Sequence, residues 1–149
     1  MYKRQDKFKV HDIHRVYTAI VYNQFATDEG TINKPIARHK TDRKKMAIDP
    51  NGRHAVTHYR VIERLKQNFS LVECELETGR THQIRVHMAS INHPLLGDEV
   101  YGPKQKPFST QGQVLHAGVL GFEHPITGEY MEWHADLPDY FQEILKRLR

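Results

Sequence analysis

The sequence predicts an α+β domain whose sheet is mixed but mostly antiparallel, flanked by helices and loops. Segments rich in β-branched and aromatic residues recur along the 149 residues, and short turn signals separate several of them. Other segments have the apolar spacing of helices, one near the middle of the chain and one at its C-terminus. Strands joined by short turns pair antiparallel, because parallel pairing needs a longer crossover between consecutive strands.

The N-terminal half contains most of the predicted strands. A weak helical pattern over residues 3–13 precedes them. The strands cover residues 15–22, 31–33, 55–64 and 69–77, with turns at residues 28–30 and 67–68. The second turn closes an antiparallel hairpin. In the last of these strands, the alternation places Val72, Cys74 and Leu76 on the core face.

The C-terminal half begins with a predicted helix over residues 82–91. Ile84, Met88 and Ile91 recur there at helical spacing, and Pro94 pushes the residue before it out of helical space and ends the helix. The remaining predicted elements are a loop over residues 97–108, strands over 114–122 and 130–133, and a helix over 138–149 with Leu145 and Leu148 inward.

The composition limits the class of protein. Net charge is +4 at pH 7 with the 11 histidines neutral, a modest excess that suits a polyanionic partner. Cys74 has no second thiol for an internal disulfide, so we expect a reducing, cytoplasmic location. No apolar run approaches membrane-spanning length, and no signal peptide pattern opens the chain. We therefore expect no membrane partner, and a single domain over residues 1–149 without a linker.

Residues 35–52 form a basic segment that ends in the turn signal Asp-Pro-Asn-Gly. A loop of this length is usually functional or mobile. Its charges are open to two interpretations, a solvated surface loop or a contact with RNA phosphates, and their clustering favours the second. The basic and imidazole side chains are Arg38, His39, Lys40, Arg43, Lys44 and Lys45.

The spacing of residues in the sequence identifies few candidates for a metal-binding or catalytic site. His82 and His87 are five residues apart, which does not match the spacing of a helical zinc-binding pair, so no metal site is predicted. Cys74 alternates toward the core and is not expected to be a reactive thiolate. Arg80 and Arg85 remain, at the start of the predicted helix. Arginine pairs bidentately with carboxylate or phosphate, although composition alone favours surface salt bridges for both.

The middle of the chain carries a longer pattern. Residues 79–87 read Gly-Arg-Thr-His-Gln-Ile-Arg-Val-His, and they are followed by His-Pro-Leu-Leu-Gly-Asp at 93–98 and Tyr-Gly at 101–102. These pieces resemble the signature of the RluA-type RNA pseudouridine synthases. Residues 15–21 are similar to that family's basic-x-Tyr-x-Ala strand. Residues 35–46 resemble its basic loop, and residues 115–117 resemble its late strand.

The resemblance implies a fold, a reaction and roles for particular residues. The family isomerises uridine to pseudouridine in RNA without a cofactor, through an aspartate nucleophile. Tyr17 is then expected to stack on the flipped base and help to remove the C5 proton, Arg85 to pair with the catalytic aspartate, and Leu115 to pack against the base. Arg80 and His82 are expected to contact phosphate or support the site. Ribosomal RNA is favoured over transfer RNA, and the complete protein is expected to be a monomer.

The family's nucleophile segment does not occur in this sequence. It reads His-Arg-Leu-Asp followed by a threonine and a glycine, and it lies upstream of the strand that carries Tyr17. Residues 14–17, His-Arg-Val-Tyr, place Tyr17 where the aspartate would stand. We therefore expect the chain to be the C-terminal part of a catalytic domain, lacking the nucleophilic aspartate and inactive alone.

Two alternatives remain open from the sequence. The first is a non-catalytic RNA-binding module that keeps the basic segment. The second is an unstable fragment whose unpaired sheet edges promote aggregation.

Overall fold

The computed structural model describes residues 13–104, 110 and 112–149. These residues form a six-stranded sheet, a separate two-stranded hairpin and two α-helices. The strands are β1 (His14–Tyr22), β2 (Glu29–Asn33), β3 (Ile36–Arg38), β4 (Met46–Ile48), β5 (Val56–Arg64), β6 (Phe69–Leu76), β7 (Leu115–Glu123) and β8 (Tyr130–His134). The helices are α1 (Gln83–Ser90) and α2 (Asp139–Leu148).

The first strand of the chain lies in the middle of the large sheet. The strand order is β2-β5-β6-β1-β7-β8, and β1 pairs antiparallel with β6 on one side and β7 on the other. β5 and β6 form the predicted hairpin through the turn Lys66–Asn68, whose Gln67 and Asn68 have positive φ. Every strand pair among the described residues is antiparallel, which confirms the predicted α+β architecture.

Helix α1 covers one face of the sheet and builds the first part of the core. Ala19 and Val21 of β1 face it, together with the three β6 residues that the alternation predicts to be inward. Ile84 and Met88 of α1 pack onto them, and Ile91 lies against the same cluster. The predicted helical stripe is therefore confirmed. The β6 residues are Val72, Cys74 and Leu76.

Helix α2 covers part of the opposite face. Ile20 of β1 and Leu71 of β6 point to this side and are buried against Phe141 and Leu145 of the helix. Leu148 is also fully buried, so the predicted inward side of the C-terminal helix is confirmed. Leu71 alternates with Val72, Cys74 and Leu76 and therefore faces the opposite side of the sheet, but a residue on either face is buried where a helix covers it.

The basic segment is more ordered than the sequence predicts. Instead of one long loop, β3 and β4 pair as a short hairpin within it. Ile36 of β3 is buried with Ala55 and Val86, and Met46 of β4 packs at the edge of the same small cluster. Strands of three residues are too short to produce a readable alternation, which is why the prediction of a loop is wrong here.

Two further predictions differ from the structure or fall outside it. The turn predicted at residues 28–30 is wrong for its last two residues, since Glu29 and Gly30 already pair with Arg60 and Tyr59 in the sheet. The helix predicted over residues 3–13 lies outside the described residues, except for Ile13, which is not helical. Within the described part of the chain, neither helix is long and apolar enough to cross a membrane.

Candidate active site

A cavity of about 280 Å³ lies between the first half of β1 and the beginning of α1. Strand β1 contributes two lining residues and the end of β6 contributes one, while the turn before α1 and the first turn of α1 contribute three each. The described lining residues are Arg15, Tyr17, Leu76, Gly79, Arg80, His82, Gln83, Ile84, Arg85, Gln113 and Leu115. A wider cleft of about 700 Å³ runs along α2, but its lining mixes acidic and basic residues and includes none of the predicted site residues.

The cavity brings together the predicted residues of the site that lie outside the basic segment, although they are spread over almost a hundred positions of the sequence. They are Tyr17, Arg80, His82, Arg85 and Leu115. The basic residues Arg38, Arg43, Lys44 and Lys45 do not line it. They belong to the β3–β4 hairpin and the turn that joins its strands, where all but the half-buried Lys45 are exposed.

The amide side chain of Gln83 shapes the turn that precedes α1. Its Oε1 accepts hydrogen bonds from the Thr78 hydroxyl at 2.7 Å and from the backbone N–H of Arg80 at 3.0 Å. Its Nε2 donates to the carbonyl of Val56 at 3.0 Å and to Oγ1 of Thr57 at 2.9 Å. Gln83 is buried, so these bonds replace the water it loses. They fix the turn against β5 and thereby position Arg80.

His87 extends this network into the core. The Thr57 hydroxyl donates to Nδ1 of His87 at 2.9 Å, and Nε2 of His87 donates to the carbonyl of Lys34 at 2.9 Å. Both ring nitrogens are therefore satisfied in the neutral imidazole. Burial lowers the pKa of His87 below its usual value of 6.5. His87 is thus a structural residue that joins α1 to β5.

His82 has an unusual backbone for the residue that precedes a helix. Its φ is +56°, in the left-handed region, and its side chain does not cap α1. Instead, Nδ1 lies 2.8 Å from the Tyr101 hydroxyl, which also accepts a hydrogen bond from the backbone N–H of Met46 at 2.8 Å. Burial and the charge of Arg85 lower the pKa of His82, which favours its neutral form.

Arg85 is held by the carboxylate of Asp98, a partner that was not predicted from the sequence. Its Nε and Nη2 donate to the two carboxylate oxygens of Asp98 at 2.9 and 3.0 Å. Asp98 is completely buried and also accepts the backbone N–H groups of Val100 and Tyr101, each at 3.0 Å. Burial alone would raise the pKa of Asp98, but these hydrogen bonds outweigh it and hold the pKa below its ordinary value. Asp98 does not line the cavity, so it orients Arg85 from behind.

The cavity is electrostatically positive. Arg80 donates from Nε to the carbonyl of His54 at 2.8 Å, and neither it nor Arg15 forms an ion pair with a described residue. None of the described lining residues is acidic. Arg15 is a site residue that the sequence alone did not identify. Its position two residues before Tyr17 on the same strand was the available signal, since alternate strand residues share a face.

The remaining walls suit a flat, partly apolar ligand. Tyr17 offers an aromatic ring, and Leu76, Ile84 and Leu115 offer aliphatic surface. Cys74 lies behind this wall, and burial raises the pKa of its thiol to about 12, so it is not a nucleophile. Within the described part of the chain, no group of histidine, cysteine, aspartate and glutamate is arranged to hold a metal ion. The arrangement can stack a planar ring and bind an anion beside it.

Comparisons with known proteins agree on one family. A family model described as RNA pseudouridylate synthase matches residues 2–90. The chain is 55% identical over 137 residues to an uncharacterized RNA pseudouridine synthase of Bacillus subtilis, covering 92% of this chain and 45% of that protein. It is 48% identical over 149 residues to the ribosomal large subunit pseudouridine synthase D of Haemophilus influenzae, again covering 92% and 45%. The chain thus spans less than half the length of these curated relatives.

A solved structure shares the fold. The human RNA pseudouridylate synthase domain containing 1 superposes with a TM-score of 0.77 at 28% sequence identity, over 90% of this chain and 58% of that one. A second human protein, RNA pseudouridylate synthase domain containing 4, superposes with a TM-score of 0.71 at 25% identity.

The buried neutral state of His87 predicts how folding stability depends on pH. In the folded protein the pKa of His87 lies below 6.5, whereas in the unfolded chain it is about 6.5. Between these two values the unfolded chain binds a proton at His87 and the folded protein does not. The contribution of His87 to the free energy of unfolding is therefore complete above pH 6.5 and is lost as the pH falls below it, with a slope of at most about 1.4 kcal/mol per pH unit. His82 adds to the loss in the same range.

Urea unfolding at a series of pH values between 8 and 5 measures this slope. We expect His87→Gln to reduce the slope and the exposed His54→Gln control to leave it unchanged. An equal slope in His87→Gln and the unmodified chain would show that His87 is not the titrating group.

The Arg85–Asp98 pair predicts a strongly non-additive double-mutant cycle. Asp98→Asn and Arg85→Met each leave one buried group without its charged partner, which we expect to cost about 3 kcal/mol or more of the free energy of unfolding. The double variant removes both charges, so its cost should be smaller than the sum of the two by about 1–3 kcal/mol. Chemical denaturation of the four proteins tests this, and simple additivity would contradict the pairing.

Proposed function

This chain belongs to the RNA pseudouridylate synthase family, and we propose that its cavity binds a uridine that has left the base stack of an RNA and contributes to its isomerisation to pseudouridine. The observation that carries this proposal is the convergence of Tyr17, Leu115 and Arg85 on one positively charged cavity. An enzyme that acts on a base within structured RNA must take that base out of the stack. An aromatic ring, an aliphatic wall and nearby guanidinium groups match the base and the phosphates of such a nucleotide.

The isomerisation conserves every atom of the nucleotide. The bond between N1 of uracil and C1′ of the ribose breaks, the base turns, and a bond forms between C5 and C1′. A proton leaves C5 and a proton ends on N1, so the overall change needs no oxidant or reductant. We assign Tyr17 to stacking on the base and to assisting removal of the C5 proton, and Leu115 to packing against the base.

Arg85 is proposed to hold the nucleophilic aspartate. Its Nε and Nη2 are occupied by Asp98, whereas Nη1 makes no hydrogen bond to a described residue. A second carboxylate is able to approach from the cavity side, and the positive charge would keep that carboxylate ionised and nucleophilic. The described lining contains no such carboxylate, and Asp98 is buried and fully bonded. We therefore expect the chain alone to bind RNA without isomerising it.

The β3–β4 hairpin is proposed to contact the RNA backbone beside the cavity. Arg43 and Lys44 are exposed there, and Lys45 is half-buried. The hydrogen bond from Met46 N–H to the Tyr101 hydroxyl links the hairpin to the site, because Tyr101 also contacts His82 and lies under the guanidinium of Arg85, 5.2 Å from its ring centre. Phosphates bound at the hairpin would thus be held at a fixed distance from the cavity.

The relatives suggest the class of RNA. One is named for the ribosomal large subunit, so we propose large-subunit ribosomal RNA as the substrate of the complete protein. We further propose that residues 1–149 belong to a single catalytic domain that acts in the cytoplasm as a monomer. The family match over residues 2–90 and the signature residues around Arg85 support the assignment to a catalytic domain.

Stacking on Tyr17 predicts a specific pair of variants. We expect Tyr17→Ala to weaken binding of a fluorescent large-subunit ribosomal RNA stem-loop by about 1–3 kcal/mol, the usual value of one base–aromatic stack. Tyr17→Phe keeps the ring and should keep the affinity. Fluorescence anisotropy measures both, and equal affinities for the Ala and Phe variants would contradict stacking. Primer extension after carbodiimide treatment of the RNA should detect no new pseudouridine with the chain alone.

Phosphate contact at the hairpin predicts a change in salt dependence. Lys44→Ala/Lys45→Ala should reduce the slope of log affinity against log salt concentration by about 2, because each phosphate contact adds roughly 0.9 on duplex RNA by analogy with B-form DNA. Lys66→Ala/Lys146→Ala removes the same charge from two exposed positions away from the hairpin and should leave the slope unchanged. An identical slope for both double variants would show that the hairpin does not bind phosphate.

A further inference from the structure

We propose that Arg15 is a phosphate-binding residue of the cavity, whose guanidinium binds a phosphodiester group next to the uridine that stacks on Tyr17. This inference rests on the proposed function and adds to it a contact for the nucleotide backbone. Three observations carry it: the position of Arg15 beside Tyr17, the absence of a partner for its guanidinium among the described residues, and the space that Gly79 leaves for it.

Arg15 and Tyr17 lie on the same face of β1. They are two residues apart, and although the pairing of β1 with β7 shifts register between Val16 and Tyr17, the extra residue is Gly118 on β7, so alternation along β1 itself is kept. Both line the cavity. Alternate residues of a strand are separated by about 6.6 Å along its axis, a distance comparable with that between a nucleobase and its own phosphate. A base on Tyr17 therefore places one of its neighbouring phosphates within reach of Arg15.

The guanidinium of Arg15 has no counter-charge among the described residues. Its Nε is buried and forms no hydrogen bond, and no described carboxylate makes an ion pair with it. Leaving a buried donor unsatisfied costs free energy. An anion that enters the cavity would remove this unfavourable contribution. Arg85, by contrast, is already neutralised by Asp98.

Gly79 leaves the space in which the Arg15 guanidinium lies. A β-carbon at position 79 would overlap Nη1 of Arg15, so any other residue there would displace the side chain. Gly79 belongs to the turn that Gln83 fixes through Thr78 and Arg80. The turn therefore has a defined shape with a place for this guanidinium, next to Arg80.

The chemistry of the ligand favours a phosphate over a carboxylate. An RNA strand carries one negative charge per nucleotide, so every uridine that enters the cavity brings a phosphate on each side of its ribose. Arginine's planar fork donates two parallel hydrogen bonds to such a group. The competing outcome is that Arg15 binds a carboxylate instead. In that case, removal of the Arg15 charge would not change the affinity of the chain for RNA.

The test measures binding of a short oligouridylate by fluorescence anisotropy over a series of salt concentrations. We expect Arg15→Gln to reduce the slope of log affinity against log salt by about 0.7, the value of one phosphate contact on a single strand. Gly79→Ala keeps the charge but displaces the guanidinium, and it should reduce the slope equally. Arg15→Lys should restore most of the slope. Lys66→Gln removes one exposed charge in the β5–β6 turn and is the matched control.

A second measurement compares uridine with uridine monophosphates by titration calorimetry. The unmodified chain should bind a uridine monophosphate several-fold more tightly than uridine, and this ratio should fall toward one in Arg15→Gln while the affinity for uridine itself is retained. An unchanged slope and an unchanged ratio in both Arg15→Gln and Gly79→Ala would overturn the assignment of Arg15, with RNA binding by the unmodified chain still intact. If the unmodified chain bound neither uridine nor oligouridylate, the proposed function would fail as well.

Discussion

The buried amide of Gln83 is the interaction on which the site depends most. A side-chain amide has two donor hydrogens and one carbonyl oxygen, and in the core each needs a partner. Here the oxygen is used by the turn before α1 and the nitrogen by β5. The hydroxyl of Thr57 donates a hydrogen bond to His87, whose other ring nitrogen donates to the backbone carbonyl of Lys34. A network satisfied at every member permits few alternative arrangements, so the turn and the helix start are held in one geometry.

A second set of contacts determines where Arg85 points. Asp98 lies thirteen positions after Arg85 and is completely buried. A buried carboxylate is unfavourable unless it is paired, and its backbone hydrogen bonds from Val100 and Tyr101 fix it in the loop after α1. Because Tyr101 also binds the β3–β4 hairpin, one loop connects the helix, the hairpin and the cavity. The orientation of the guanidinium is thus set before any ligand arrives, which is the condition for efficient positioning of a reacting group.

The sequence predicted the parts of this structure that depend on local patterns. β1, β5 and β6 follow from alternation and composition, and α1 follows from the spacing of Ile84 and Met88. Residues Tyr17 and Leu115 were found only through the resemblance, since an aromatic or a leucine in a strand has no distinguishing spacing. Asp98 was missed as a partner because local periodicity does not reveal that a loop folds back onto a helix. Burial of Leu71 likewise depends on α2, which comes seventy positions later in the chain.

Two departures from ordinary local rules lie at the cavity. Elsewhere in the described chain, non-glycine residues with positive φ are asparagines or Gln67, all at turns, where such conformations are common. His82 instead has positive φ immediately before a helix, a position that usually has an extended backbone and a capping side chain. Arg15 has a buried Nε without a partner at the same place, whereas the other such atom among the described residues, the Tyr22 hydroxyl, lies outside the cavity lining. Two such features in one cavity are expected where binding and chemistry, and not stability alone, determine the residues.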